Sequence, residues 1–273
     1  MKHRILSALA LSTLVLPAAI VAAQAAAPPP PPSVLVIVRE YLKPGKGGSL
    51  HAKTEGAYVK AMADAKFPTH YFAVDSMTGP TRALFITGYD NFDAWGKDMA
   101  AQQAEPLASA LDQANIEDGD LLAKTETSAY LYHPEYSVHP NIEAAHMRYW
   151  EFTMFVVKPG HEKEWSDLVK LYTTGFDKFP EAHWAIFESM YGENNGGVYI
   201  SINPMRSLNE VDKGMANSKA FMAGMGDEGM KKASVLADAC LQSVQTNVFV
   251  VNPKMSYPSD EWATAAPEIW GQH

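Results

Sequence analysis

Residues 70–79 read His-Tyr-Phe-Ala-Val-Asp-Ser-Met-Thr-Gly, and residues 183–192 read His-Trp-Ala-Ile-Phe-Glu-Ser-Met-Tyr-Gly. Each stretch follows a Lys-Phe-Pro tripeptide, and a Lys-Pro-Gly tripeptide occurs earlier on each side, at 43–45 and at 158–160. The matching landmarks keep the same order and lie roughly a hundred residues apart, which is the size of a domain and not of a solenoid repeat. We therefore predict two like halves.

Both halves predict the same order of secondary structure. A strand rich in β-branched residues ends at the Lys-Pro-Gly turn, a helix with apolar residues three and four positions apart follows, and the Phe-Pro pair ends that helix. A strand hairpin, a second helical region and a last strand complete each half. The order βαββαβ predicts an α+β fold of ferredoxin-like type, in which one antiparallel sheet carries its helices on a single face. The predicted strands are 34–41, 70–77, 83–87 and 128–132, then 149–157, 183–190, 198–202 and 248–251.

The bare face of each predicted sheet needs a cover, and the other half can supply it. We therefore predict two tandem ferredoxin-like βαββαβ domains packed sheet to sheet, with the helices outside. With this element order, with a strand that ends in Lys-Pro-Gly before a helix and with the segment 89–95, the chain resembles the dimeric α+β barrel superfamily as an intrachain pseudo-dimer. It is most similar to the NIPSNAP-like branch of that superfamily.

The resemblance implies a range of activities. Members of the superfamily include cofactor-free oxygenases, haem-binding and haem-degrading enzymes, lactone isomerases and proteins without assigned chemistry. No catalytic motif of these enzymes is present to be carried over to numbered residues, so function has to be argued from individual sites.

The N-terminal residues lie outside the predicted fold. Lys2 and Arg4 precede an apolar run, and Ala-Gln-Ala at 23–25 is the small-residue pattern of signal-peptide cleavage. We expect export to the periplasm or the cell exterior, with no transmembrane segment after cleavage; an uncleaved membrane anchor is the alternative. We interpret the proline-rich segment that follows as a stiff spacer that holds the folded part off the N-terminus. The predicted boundaries are 1–25 for the signal peptide, 26–33 for the spacer, 34–137 and 147–256 for the halves, 138–146 for a linker and 257–273 for a tail.

Charge and cysteine content exclude several classes of function. The formal net charge is −9 at pH 7, which argues against nucleic acid as a partner because phosphate binding needs a basic surface. Cys240 is the single cysteine, so neither an internal disulfide nor a cysteine metal cluster can form. We expect no cofactor, no metal and a small molecule as partner, and the composition is compatible with a homo-oligomer.

His70 and His183 occupy equivalent positions in the two halves and are the first catalytic candidates. An imidazole can shuttle protons or bind a metal near neutral pH. The alternative, which we favour, is that each histidine hydrogen-bonds a backbone carbonyl where the helix ends and the strand begins.

The strand that follows each histidine supplies further candidates. Alternation puts Tyr71 and Asp75 on one face of the first copy, and Trp184 and Glu188 on the same face of the second. If that face lines the interior, the aromatic rings are ligand contacts and desolvation raises the pKa of a carboxylate that could act as a base. The alternative is a carboxylate at a strand end that reaches solvent. Sequence does not decide which face is interior.

Arg39 and Glu151 are charged residues within predicted strands, and neither has a counterpart in the other half. A buried charge needs a partner, so we consider both as ligand-binding candidates in an asymmetric pocket. A salt bridge near a sheet edge is the alternative.

Three functions follow from these observations. The first is an exported protein that binds a small apolar ligand in or near the barrel. The second is a cofactor-independent oxygenase or isomerase acting on an aromatic or quinone-like molecule through a histidine or carboxylate of the barrel wall. The third is a structural or interaction module of the cell envelope, which predicts a filled interior and a large exposed apolar patch.

Overall fold

The computed structural model describes residues 27–193 and 197–271. The predicted signal peptide at 1–25 lies outside the described residues, and so does most of the turn after residue 193. Within the described part, no helix has the combination of length and apolar character that a membrane span needs.

Eight antiparallel strands close into one barrel, in the order β1-β3-β2-β8-β5-β7-β6-β4. The predicted α+β class is confirmed in this form. Every one of the eight predicted strands is present, although several boundaries differ. The strands are β1 Val34–Leu42, β2 Phe72–Ser76, β3 Arg82–Tyr89, β4 Leu122–Val138, β5 Tyr149–Val157, β6 Trp184–Tyr191, β7 Val198–Met205 and β8 Leu241–Val251.

The predicted second helical region of the first half is two helices, α2 and α3, and not one. Asn91 begins α2 as its N-cap, since its side chain accepts a hydrogen bond from the backbone N–H of Ala94. In the second half the corresponding region is the long α5, which Gly226 interrupts with a φ of 64°. The helices are α1 Ser49–Asp64, α2 Phe92–Gln102, α3 Leu107–Gly119, α4 Glu162–Phe176, α5 Asn209–Cys240, α6 Asp260–Ala265 and α7 Pro267–Trp270.

The last strand of the first half is much longer than predicted. Strand β4 begins at Leu122 and continues to Val138, so it includes His133 and reaches the first residue of the predicted linker at 138–146. The residues before 128 are polar and mostly exposed, so apolar and polar side chains alternate little there. They nevertheless pair with β1, where Lys124 lies opposite Tyr41. Pairing with a neighbour, and not apolar content, makes this segment a strand.

Two seams close the barrel. Strand β2 pairs with β8, where Val74 lies opposite Val251, and β4 pairs with β6, where Tyr132 lies opposite Phe187. The strands of residues 34–138 and those of residues 149–251 are therefore joined along both edges in one closed barrel. Side chains from both halves form one interior core that includes Ile37, Phe152, Ile200 and Phe249.

The structure decides which face of each strand is interior. Phe72 and Val74 of β2 and Phe187 of β6 belong to the interior core. Tyr71 and Ala73 pack on the outer face of the sheet, against residues such as Phe85 and Ala52. The face that carries Tyr71, Asp75, Trp184 and Glu188 is therefore the outer face, and the histidine face is the inner one.

The layers between sheet and helices differ in the two halves. Under α4 the layer is apolar, with Trp165 and Val169 of the helix against Phe155 of β5. Under α1 the layer contains four buried polar residues at 8, 1, 3 and 1% exposure, namely Glu40, His51, Glu55 and Asp118.

Glu55 has an unusual acidity because of this environment. Burial, and to a smaller extent the neighbouring carboxylates of Glu40 and Asp118, raises its pKa to about 10. Burial also raises the pKa of Glu40, against the effect of a hydrogen bond from His51. In the unfolded chain a glutamate titrates near ~4.3.

We predict that the free energy of unfolding falls as the pH rises through this range. The folded state holds a proton on Glu55 that the unfolded state has already lost, so the contribution is complete below pH ~4 and is lost as pH rises towards 10, by up to about 1.4 kcal/mol per pH unit. Urea unfolding of wild type and of Glu55→Gln between pH 5 and 9, in metal-free buffer, checks this. The glutamine variant should have the shallower pH dependence; equal slopes would contradict the assignment.

Candidate functional site

A cavity of about 450 Å³, here called the mouth cavity, opens at one end of the barrel. It lies where β1, β2, β5 and β6 begin and where β3 and β7 end. Aromatic and aliphatic side chains form most of its wall, and a few polar groups stand at its rim. The lining includes Leu35, Phe72, Ile86, Ala144, Trp150, Ala185, Phe187, Ile202 and Trp262, with His70, Tyr89, Asp90, His183 and Ser259 as polar groups.

Corresponding positions of the two halves meet in this cavity. Ile86 of β3 lies opposite Ile37 of β1, and Ile202 of β7 lies opposite Phe152 of β5. Ile86 and Ile202 therefore occupy the same register position. The inward residue near the start of the second strand of each half is large in one case and small in the other, Phe72 and Ala185. The ring of Phe72 packs on Trp150 at 4.6 Å between centroids. We infer that the small side chain of Ala185 leaves the open volume on the other side.

The C-terminal tail covers the cavity. Trp270 is 1% exposed and donates a hydrogen bond from its indole Nε1 to the carbonyl oxygen of Ala145 at 2.8 Å. Its ring lies 5.5 Å from that of Trp262, which in turn packs 5.7 Å from Phe72. The tail residues thus form part of the wall, and they are held there by a buried anchor.

The proline-rich segment also lies against the barrel. Pro29 to Pro32 line the cavity, so these four residues of the predicted spacer contact the folded part. A methyl group added at Gly88 of β3 would lie 2.8 Å from Cγ of Pro32. Glycine at this position therefore allows the close approach.

His70 and His183 both line the cavity, and their surroundings differ. His183 is partly buried, and its Nε2 lies 2.6 Å from the carbonyl oxygen of Pro204, which agrees with the structural interpretation of this residue. His70 is exposed and packs its ring 4.7 Å from that of Tyr257, without a hydrogen bond found among the described residues. Of these two histidines, His70 is therefore the one whose ring is available for proton transfer within the described chain.

Tyr71 and Trp184 border the cavity, but their rings point elsewhere. The ring of Tyr71 packs edge-on at 6.1 Å from Phe85 in the outer layer. The indole of Trp184 donates to the carbonyl oxygen of Tyr136 at 3.0 Å. These residues support the wall from outside.

Neither predicted carboxylate lines the cavity. Asp75 accepts a hydrogen bond from the side-chain amide of Asn252 at 2.7 Å, and burial raises its pKa. Glu188 lies 2.9 Å from Nε2 of His133 and accepts a hydrogen bond from the hydroxyl of Tyr199. Both are satisfied on the outer face, away from the mouth cavity.

Arg39 and Glu151 lie apart from this cavity and from each other. Arg39 faces a second, smaller cavity of about 140 Å³ at the opposite end of the barrel. There it bonds Tyr130 and the hydroxyl of Ser128, and it pairs with Glu193 at 3.0 Å. Glu151 is half-buried on the outer face, and burial raises its pKa. The eight predicted site residues therefore do not form one pocket.

The aromatic wall contains residues that were not among the sequence candidates. Trp150 and Phe72 are inward residues of strands and look like any core residue in sequence. Trp262 could have been identified from the sequence, because exposing a tryptophan in a tail beyond the last strand to solvent is unfavourable unless another part of the protein covers it.

Among the described residues, the side chains that could bind a metal ion together lie away from the mouth cavity. One group of His and carboxylate side chains is close enough to hold an ion, and it consists of the four buried polar residues under α1. The histidines of the mouth cavity are not part of such a group.

Two solved structures with the same fold are described as provisionally assigned monooxygenases. One, from Lactobacillus acidophilus, has a TM-score of 0.50 and 11% identity over 80% of this chain and 94% of its own. Another, from Fusobacterium nucleatum, has a TM-score of 0.51 and 12% identity over 84% and 94%. An anthrone oxidase-like protein matches with a TM-score of 0.48 and 13% identity over 81% and 92%.

The first two likenesses show the fold alone. No protein-family model matches the chain, and no curated protein matches it. At such low identity, activity has to be argued from the cavity itself.

We predict that the two histidines differ in their effect on stability. His183→Ala removes the hydrogen bond to the carbonyl of Pro204 and should lower the free energy of unfolding by about 1–3 kcal/mol. His70→Ala, the matched control on an exposed ring, should change it by less than about 0.5 kcal/mol. Chemical denaturation of both variants measures the difference. A larger loss for His70→Ala would contradict the assignment.

Proposed function

We propose that this chain binds a small, largely apolar aromatic molecule in the mouth cavity. The observation that carries the proposal is the cavity wall, in which Phe72, Trp150 and Trp262 face a space of about 450 Å³. Ligand pockets of proteins typically measure about 300–1,000 Å³ and combine an apolar wall with a few polar groups.

The rim gives the ligand its orientation. His70 at the open side is an exposed ring that can donate or accept one hydrogen bond, and Ser259 adds a hydroxyl. A flat ligand with one polar edge fits this distribution, since its rings would stack on the tryptophans while its polar edge meets the rim.

We also propose that the chain is a tandem pair of domains, that it is related to NIPSNAP-like proteins and that it is exported. The barrel keeps the strands of each half together, in the orders β4-β1-β3-β2 and β8-β5-β7-β6, which supports a tandem pair of ferredoxin-like domains acting as a pseudo-dimer. The NIPSNAP-like relationship rests on the short turn motifs. Export by the N-terminal segment, to the periplasm or beyond, and a homo-oligomeric state are proposals that rest on sequence alone.

A cofactor-independent oxygenase is the second candidate function. It is favoured by His70, whose ring borders an apolar cavity, packs on Tyr257 and makes no hydrogen bond found among the described residues. A base at this place can take a proton from an activated CH₂ group of an aromatic substrate. The carbanion then passes electrons to O₂, so that CH₂ and O₂ become C=O and water.

The envelope-module alternative has less support from the interior. It predicts a filled barrel, whereas the mouth contains a cavity bordered by aromatic rings. The binding proposal accounts for this cavity directly.

Filling the cavity tests the binding proposal. Ala185→Phe places a ring in the open volume and should weaken binding of the neutral fluorescent probe N-phenyl-1-naphthylamine by at least about tenfold, because a filled site leaves no apolar volume for the probe. Met154→Phe is the matched control, since it overpacks the cavity at the opposite end of the barrel. Equal probe affinity in wild type and Ala185→Phe would contradict the proposed site.

The oxygenase candidate has a separate test. With a polycyclic aromatic substrate that carries an activated CH₂ group, His70→Ala should lower the rate of O₂ uptake by about a hundredfold or more while probe binding is retained. An oxygen electrode measures the rate. An unchanged rate would remove His70 as the base, and absence of O₂ uptake in wild type would leave the chain a binding protein.

A further inference from the structure

The buried polar layer under α1 is independent of the mouth cavity. Glu40 comes from β1, His51 and Glu55 from adjacent turns of α1, and Asp118 from the end of α3. One ligand atom from each lies within 4.8 Å of all the others. Three separate elements thus bring three carboxyl groups and one imidazole to one point.

The charge at this point is poorly compensated by the protein. Three carboxyl groups in an interior with one imidazole are costly to ionise, because buried charges must be paired with a cation or neutralised by a proton. The Nε2 of His51 donates to Glu40 at 3.1 Å, and the hydroxyl of Thr54 donates to Asp118 at 2.5 Å. Among the described residues, no further donor reaches the centre of the group.

Glu55 gives the independent sign of a ligand. Its side chain is 4% exposed, and its Oε1 has no hydrogen-bond partner within the described chain. That oxygen points into the group and lies 3.9 Å from Nε2 of His51. A buried carboxylate oxygen without a donor is rare in folded proteins and requires an explanation.

The second half of the chain shows that the fold does not need this polar layer. Trp165 and Val169 are an i,i+4 pair that α4 buries, as α1 buries His51 and Glu55. Phe155 lies two residues before the end of β5, as Glu40 does before the end of β1. These residues form an ordinary apolar layer. The polar set in the first half therefore serves a purpose other than folding the barrel.

We propose that Glu40, His51, Glu55 and Asp118 bind a divalent first-row transition-metal ion, of the Zn²⁺ type, as a structural site. A tetrahedral ion with bonds of about 2.0–2.2 Å has its ligand atoms about 3.4 Å apart. The distances from His51 Nε2 to the carboxylate oxygens of Glu40, Asp118 and Glu55 are 3.1, 3.6 and 3.9 Å.

The donor set and its burial select the class of ion. One imidazole nitrogen with three carboxylate oxygens suits Zn²⁺, Mn²⁺ or Fe²⁺, whereas Ca²⁺ takes six to eight oxygens and Mg²⁺ keeps several waters. The four side chains are between 1 and 11% exposed. Four protein ligands and no solvent-facing position correspond to a structural site, in which the ion ties α1 and α3 to β1.

The test uses the full mature chain, stripped with chelator, and Zn²⁺ alone as the probe. Wild type should bind one equivalent, counted by elemental analysis after dialysis, and its Tm should rise by about 5–10 °C at a hundredfold excess over Kd. Glu55→Gln keeps the size but replaces the ionisable carboxyl group with an amide, and it should lose at least about tenfold in affinity and most of the Tm shift. Glu188→Gln, a carboxylate beside His133 on another face, is the matched control and should bind as wild type does.

Three results would refute the proposed metal site. These are no Zn²⁺ binding by wild type, binding that Glu188→Gln removes and Glu55→Gln does not, or a response to Ca²⁺ or Mg²⁺ only. If Glu55→Gln does not fold, Mn²⁺ titration of wild type by NMR replaces it. Paramagnetic broadening should begin at the amides of residues 39–41, 50–56 and 117–119, and broadening centred elsewhere would refute the assignment.

Discussion

Closure of the barrel along its two seams is the constraint on which the other features depend. Each half alone would be a four-stranded sheet with helices on one face and an apolar face in water. The β2–β8 and β4–β6 pairings remove the four free edges, and they enclose residues of both sheets in one core. The mouth cavity exists because this shared interior is filled in the middle and left open at one end.

The distinctive features arise where the halves differ at corresponding positions. Phe72 and Ala185 both line the cavity near the start of their strands, and the smaller residue fills less of it. His51 of α1 and Trp165 of α4 are both buried in the first turns of their helices, and one belongs to a polar group while the other belongs to an apolar layer. The architecture thus tolerates both choices, and each asymmetric position carries a candidate site.

Sequence predicted the local features and missed the long-range ones. Strand and helix order followed from periodicity and from turns such as Lys-Pro-Gly, which are local signals. The outer orientation of Asp75 and Glu188 could not be read, because alternation separates two faces without saying which one is inside. The polar group under α1 was missed as well. Only His51 and Glu55, four residues apart on one helix, were a readable pair, while Glu40 and Asp118 join them through the fold.

Hydrogen exchange of the backbone amides of the full chain tests the closed barrel most directly. If both seams belong to one cooperative structure, slowly exchanging amides at β2–β8 and at β4–β6 should open with the same free energy as those of the central β1–β3 and β5–β7 pairs. Seam amides that exchange much faster than the central pairs would mean two sheets that separate readily. That result would contradict the shared interior and the sites that depend on it.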